Sequence, residues 1–262
     1  MGAATAIAWT NATWNPVRGC TQVSPGCAHC YAKTFAERFE GVAGHPFEQG
    51  FAPRLVPEKL ALPLTWKRSR LIFVNSMSDL YHEEVPLDYI QRVFEVMCRA
   101  SQHTFQILTK RHQRLAEIAP RLTWAPNIWQ GVSVENNRWV CRADALRTVP
   151  AVVRFLSCEP LLGPLDTLDL TGIDWVIGGG ESGPRHRPFR PEWARDLRDR
   201  TSAAGVPFFW KQNGGRTSRA GGVLLDGQIW QEWPMVQAGV NPRSASNASR
   251  SVHSQTKEGC LH

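Results

Sequence analysis

The sequence predicts an α/β fold in which helices alternate with the strands of one mainly parallel sheet. Three observations lead there. Short apolar runs rich in β-branched and aromatic residues recur through the middle of the chain, as strands buried on both faces do. Helix-like segments separate them at ~20–35 residue spacing, the length of a βα unit. Nearly every run ends in polar residues, and in parallel α/β folds ligands sit at the carboxyl ends of the strands.

The runs are LIFVNS (71–76), TFQILT (104–109), IWQGVS (128–133), VVRFLS (152–157), DWVIGG (174–179) and VPFFWK (206–211), with a further strand expected near 12–18. Between them, 87–99 carries Leu87, Ile90, Val93, Phe94 and Met97 on one helical stripe, opened by Pro86. Helices are also expected over 31–40, 111–119, 137–147 and 191–204, the last started by Pro191 and stopped by Gly205. The polar strand ends are Asn75, Ser76, Ser78 and Asp79; Thr109 and Lys110; Ser133, Glu135 and Asn136; Ser157 and Glu159; Gly180, Glu181 and Ser182; and Lys211, Gln212 and Asn213. Residues 216–234 read as a hairpin turned at Asp226-Gly227 that closes the domain. The rest is serine-rich with little to bury, so residues 1–234 form one domain and 235–262 a flexible polar tail that contains Cys260.

With 42% hydrophobic residues, the chain can bury a sizeable core. Its eleven tryptophans suit a core, a pocket lining or a stacking platform, and composition does not choose among these. A net charge of +7 favours anionic partners. No run approaches the ~18 apolar residues of a membrane span, and the N-terminus lacks the basic and apolar regions of a signal peptide, so a cytoplasmic location is expected. No G-x-S-x-G elbow, His-x-x-x-His helix or P-loop lysine is present, which argues against the common hydrolase and NTPase classes.

The stretch GCTQVSPGCAHCYA (19–32) carries three of the seven cysteines, Cys20, Cys27 and Cys30. A disulfide with a spare thiol is at odds with the lack of a secretion signal. Cysteines acting as small hydrophobes would suit Cys98, Cys141 and Cys158, and suit a Gly/Pro/Ser loop poorly. Zinc is credible, because Cys27 and Cys30 have the knuckle spacing and His29 or a distant residue could be a fourth ligand. The other reading is a [4Fe–4S] cluster on three thiolates, which leaves one iron open to a ligand, as catalytic zinc keeps an open position.

IAWTNATWNPVRGCTQVSPGCAHCYA together with WVIGGGESGP closely resembles a radical-SAM-like three-Cys-motif family of phages and bacteria, usually labelled as phage proteins of unknown function. The resemblance runs from about Ile7 to Trp233. It implies a partial, open TIM-like (β/α) barrel of about six to seven mainly parallel strands, with an iron–sulfur cluster on the open rim. Cys20, Cys27 and Cys30 would be the metal ligands, and S-adenosyl-L-methionine would chelate the unique iron and be reductively cleaved to a 5′-deoxyadenosyl radical. An electron donor such as a flavodoxin or ferredoxin is then required. His29 would occupy the aromatic position near the adenine.

The superfamily's Gly-Gly-Glu element, which holds the methionine amino group, follows its second strand; here GGGES (178–182) follows a late one. Gly179, Gly180 and Glu181 are therefore expected to line the cofactor cavity by convergence of strand ends and not by chain order, and Asp79 is positioned to take over the amino-group contact. The superfamily also includes enzymes that act on DNA and RNA. Lys110, Arg111, His112 and Arg114, with Arg185, Arg187, Arg190 and Arg195, would suit a phosphate backbone if they face the rim, or would pair with carboxylates such as Glu159 and Glu192 if they do not. The expected function is a radical S-adenosylmethionine enzyme on an anionic substrate, with nucleic acid a candidate; the alternative is a metal- or cluster-bearing nucleic-acid-binding protein without radical activity.

Overall fold

The computed structural model describes residue 5, residues 7–217 and residues 220–235. The tail expected over 235–262, with Cys260, lies outside the described residues except for Met235.

Seven parallel strands form one curled sheet, an open half-barrel, with neighbours in chain order. They are β1 (Ala12–Trp14), β2 (Leu71–Val74), β3 (Thr104–Thr109), β4 (Ile128–Ser133), β5 (Arg154–Cys158), β6 (Trp175–Gly178) and β7 (Phe208–Trp210). The helices are α1 (Tyr31–Glu37), α2 (Leu87–Arg99), α3 (His112–Ile118), α4 (Cys141–Arg147) and α5 (Pro191–Ala203).

Four expectations are adjusted. The 12–18 segment splits: β1 joins the sheet, and Val17–Arg18 pairs antiparallel with Arg54–Leu55. The 137–147 helix begins as a separate 3₁₀ turn, Asn137–Trp139, where the Asn136 side chain accepts from the Arg138 amide. The 31–40 helix stops at Glu37, and the chain then turns through Gly41 at φ +77°. The β5–β6 connection contains no helix; buried Leu161, Leu165, Leu168, Leu170 and Ile173 cover the sheet instead. The hairpin forms as expected, with both Asp226 and Gly227 at positive φ, as a two-residue turn of this kind requires.

Side chains alternate across each strand, and the two faces bury separate clusters. Ile72, Val74, Phe105, Ile107, Val132, Leu156 and Val176 pack with helix residues such as Ile90, Phe94, Met97, Leu115, Leu146 and Leu197. The concave face buries Trp9, Phe73, Trp129, Val153, Phe155, Trp175, Ile177 and Phe209 without any helix. All eleven tryptophans belong to or pack against one of these clusters, so they are core residues. Residues 230–232 run along the free edge of β7: the Trp210 amide donates to the Trp230 carbonyl at 2.7 Å and the Glu232 amide to Phe208 at 3.0 Å.

Candidate functional site

The cysteine loop lies in the β1–β2 connection and is tied down at both ends. Gly19 donates to the Met77 carbonyl at 3.1 Å, and Cys20 to that of Phe51 at the same distance. Gly19 has φ +76°, and a Cβ there would stand 2.1 Å from the Ala52 carbonyl oxygen, so glycine is required. Pro25–Cys27 form a 3₁₀ turn, the Cys30 amide donates to Cys27 at 3.2 Å, and α1 starts at the next residue.

Three charged clusters from strand ends hold the loop from below. After β3, buried Arg111 donates through Nη2 to Thr21 Oγ1 (2.8 Å), to the Thr21 carbonyl (3.1 Å) and toward Cys20 Sγ (3.9 Å), while Nη1 pairs with Glu83. After β4, fully buried Glu135 accepts from Ser24 Oγ at 2.6 Å and from Arg142 Nη1 at 2.8 Å. A Cβ on Gly26 would lie 2.3 Å from that carboxylate, so the loop backbone rests on it. After β6, Glu181 accepts from His29 Nδ1 at 3.0 Å and from the amide, Nε and Nη2 of Arg187, whose Nη2 also reaches the Pro25 carbonyl at 3.0 Å.

Above these anchors lies a cavity of about 250 Å³ at the carboxyl ends of the strands. Cys20, Cys27, His29 and Cys30 line one wall; Ile7, Trp9, Phe73 and Leu108 form an apolar part; Asn75, Ser76, Ser78, Asp79, Thr109, Lys110, Ser133, Ser157, Glu159, Glu181, Ser182 and Lys211 supply the polar part. Polar ends of six of the seven strands thus meet the cysteine loop in one place, where ligands of parallel α/β folds bind.

The structure brings Asp79, Glu181 and His29 to the cavity and gives each a defined neighbourhood. Asp79 accepts from Thr109 Oγ1 at 2.8 Å and from the amides of Tyr81 and Lys110. Burial disfavours ionisation of Glu181, but the Arg187 side chain and amide, with His29, outweigh it and hold the carboxyl down to about 2. Glu181 is therefore a charged tie between β6 and the cysteine loop. Gly179 and Gly180 stand outside the cavity wall: a Cβ on Gly180 would meet the Asn213 carbonyl at 2.6 Å, so its smallness serves close packing on the chain after β7.

The first basic motif turns inward, and of the second Arg187 does so. Arg114 donates to the carbonyls of His82 and Val85, Arg195 pairs with Asp226, and Lys110 Nζ donates to Ser133 Oγ at 2.9 Å. The carboxylate partners are Glu83, Glu135, Glu181 and Asp226, whereas Glu159 takes Lys211 at 2.6 Å. Arg185, Arg190 and Arg195 are exposed.

The anchoring roles of Arg111, Glu135 and Arg142 are not apparent from sequence motifs. Glu135 carries the signal of a polar strand end; Arg111 lies in a run that suggests phosphate contacts; Arg142 sits in the first turn of α4 with no signal.

Three thiols on one cavity wall are donors of the type an iron–sulfur cluster takes. Among the described residues no group of three or more His, Cys, Asp or Glu is arranged to hold a metal ion. Burial, with Asp79 nearby, pushes the Cys20 thiol up to about 12 against the opposing Arg111, so metal binding at Cys20 must release a proton. Among the described residues no helix is long and apolar enough to cross a membrane.

Residues 4–234 match the model of a family described as "Protein of unknown function (DUF5131)". No curated protein and no solved structure matches the chain.

Proposed function

We propose a function for this chain, which belongs to the DUF5131 family of proteins of unknown function: a radical S-adenosylmethionine enzyme that holds a [4Fe–4S] cluster through Cys20, Cys27 and Cys30. The observation that carries this reading is that the three cysteines line one cavity together with the polar carboxyl ends of six parallel strands. Cys20, Cys27 and Cys30 would hold the cluster, which with S-adenosylmethionine bound would supply radical chemistry by reductive cleavage.

The chain's own residues do the positioning. Glu135 and Arg142 seat the turn before Cys27, Arg111 and Thr21 hold the segment after Cys20, and the His29–Glu181–Arg187 chain fixes the segment before Cys30. Trp9, Phe73 and Leu108 keep the cavity floor apolar, which limits water at the reacting centre. Ser133, Ser157 and Ser182 offer hydroxyls that can both donate and accept, suited to a ligand with ribose and carboxylate groups.

The net charge of +7 favours an anionic substrate, with DNA or RNA a candidate, although on the cavity wall itself Lys211 is paired with Glu159 and Lys110 with Ser133. A flavodoxin or ferredoxin would be a suitable electron donor.

Anaerobically purified, iron-reconstituted protein tests this. The expected result is iron and sulfide in the ratio of a [4Fe–4S] cluster, and 5′-deoxyadenosine after reduction in the presence of S-adenosylmethionine. Both should be lost in Cys27→Ala. Zinc in place of iron would overturn the cluster. An intact cluster with no 5′-deoxyadenosine, in a protein that retains DNA or RNA at low salt, would point instead to a nucleic-acid-binding protein.

A further inference from the structure

We infer that Arg111 is a positioning residue that sets the reduction potential of the cluster, through its hydrogen bond to Cys20; this rests on the cluster reading above. Arg111 is only 7% exposed, and both arms of its guanidinium are held. Nη1 pairs with Glu83, and Nη2 is shared by Thr21 Oγ1, the Thr21 carbonyl and Cys20 Sγ. Thr21 is itself fixed, its hydroxyl 2.9 Å from His82 Nε2. The other cations near the thiols are engaged elsewhere: Lys110 with Ser133, Lys211 with Glu159, and Arg142 with Glu135 and the Ser133 carbonyl. Among the described residues Arg111 is thus the one cation with a hydrogen bond to a cysteine of the loop.

Hydrogen bonds to ligand sulfurs, net charge and burial set the potentials of iron–sulfur clusters. The step is a one-electron change from [4Fe–4S]²⁺ to [4Fe–4S]⁺, with the electron supplied by a one-electron reductant and no bond made or broken. The product carries one more negative charge, so a buried guanidinium next to a ligand thiolate stabilises it more than the oxidised form. Glu83 opposes this from the far side of Arg111, but its carboxylate is 63% exposed and screened by solvent. The two residues should therefore move the potential in opposite directions.

The test is a potentiometric titration of the reconstituted full-length protein with dithionite, followed by the electron paramagnetic resonance of the reduced cluster. Arg111→Met, which keeps an unbranched apolar stem, is expected to shift the potential to a more negative value with iron content per chain unchanged. Glu83→Gln, which leaves the guanidinium in place, is expected to shift it to a less negative value. A purely structural role for Arg111 would not produce shifts of opposite sign. Where Arg111→Met fails to fold or loses iron, Glu83→Gln decides alone: a potential that stays put or becomes more negative overturns the inference. A wild-type chain that takes up no iron overturns the cluster reading and this inference together. A wild-type cluster whose potential ignores both substitutions overturns this inference only.

Discussion

The concave face of the sheet is packed with aromatic rings at one end and polar and open at the other. At the closed end Trp175 meets Trp129, Phe155, Phe209 and Trp233, with ring centroids 4.9–6.3 Å apart. At the open end the same strands run out into Asp79, Thr109, Ser133, Ser157, Glu159 and Glu181 around a cavity of about 250 Å³. Buried ionic groups collect here: Arg111, Glu135, Arg142 and Glu181 are each under 9% exposed. The Nε atoms of Arg111 and Arg142 have no partner. Buried ion pairs are poor stabilisers compared with apolar side chains of similar volume. An arrangement that accepts them at one end, and packs rings at the other, devotes one end to stability and the other to fixing a loop.

If that division is right, the largest stability loss belongs to the closed end. Trp175→Ala removes a fully buried side chain that touches four rings and donates to the Glu232 carbonyl at 2.9 Å. A loss of ~3–5 kcal/mol is expected from the cavity it leaves. Urea unfolding should record it, while, on the cluster reading proposed above, the iron bound per folded chain stays as in wild type. Loss of iron in proportion to stability would show that the two ends are not separable.

Glu135→Gln probes the open end. It strands the Arg142 guanidinium without a counter-charge and weakens the seat under Ser24 and Gly26. Breaking a buried pair from one side costs about 3 kcal/mol. The sharper expectation is a fall in iron retained on anaerobic gel filtration, beyond what the stability loss accounts for. A variant that unfolds earlier but keeps its iron would make Glu135 a core residue and nothing more.

The division is half legible in the sequence. The apolar runs that became β2 to β7 are visible because a strand buried on both faces needs continuous hydrophobicity, and their polar ends point to the rim. Which face each tryptophan takes is not visible: the period of two places Trp129 and Trp175 on the concave side and Trp210 on the helix side only once register is fixed. The three cysteines are conspicuous because thiols rarely crowd a loop without a shared ligand. Their anchors are not, since Ser24–Glu135 spans 111 residues and His29–Glu181 spans 152, and no local pattern encodes contacts between distant strand ends. Arg111 and Arg187 are the instructive cases. A run of basic residues suggests a surface for phosphate, yet here both guanidinium groups reach the loop, Arg187 through the strand-end carboxylate of Glu181 and Arg111 through Thr21, with Glu83 on its other arm.

Glu181 carries the most specific signature. Its carboxylate is held near 2 from an ordinary 4.5, so it binds a proton more readily in the unfolded chain than in the folded one. The stability it contributes is therefore complete above 4.5 and is lost as pH falls toward 2. Glu181→Gln cannot titrate and lacks this contribution at every pH. Urea midpoints of wild type and variant should differ at neutral pH, with wild type the more stable, and converge as the pH drops through that window. Other carboxylates titrate in both proteins alike, so the difference isolates this one. A gap that persists unchanged to pH 2 would mean that the side-chain shape at position 181, and not its charge, joins β6 to the cysteine loop.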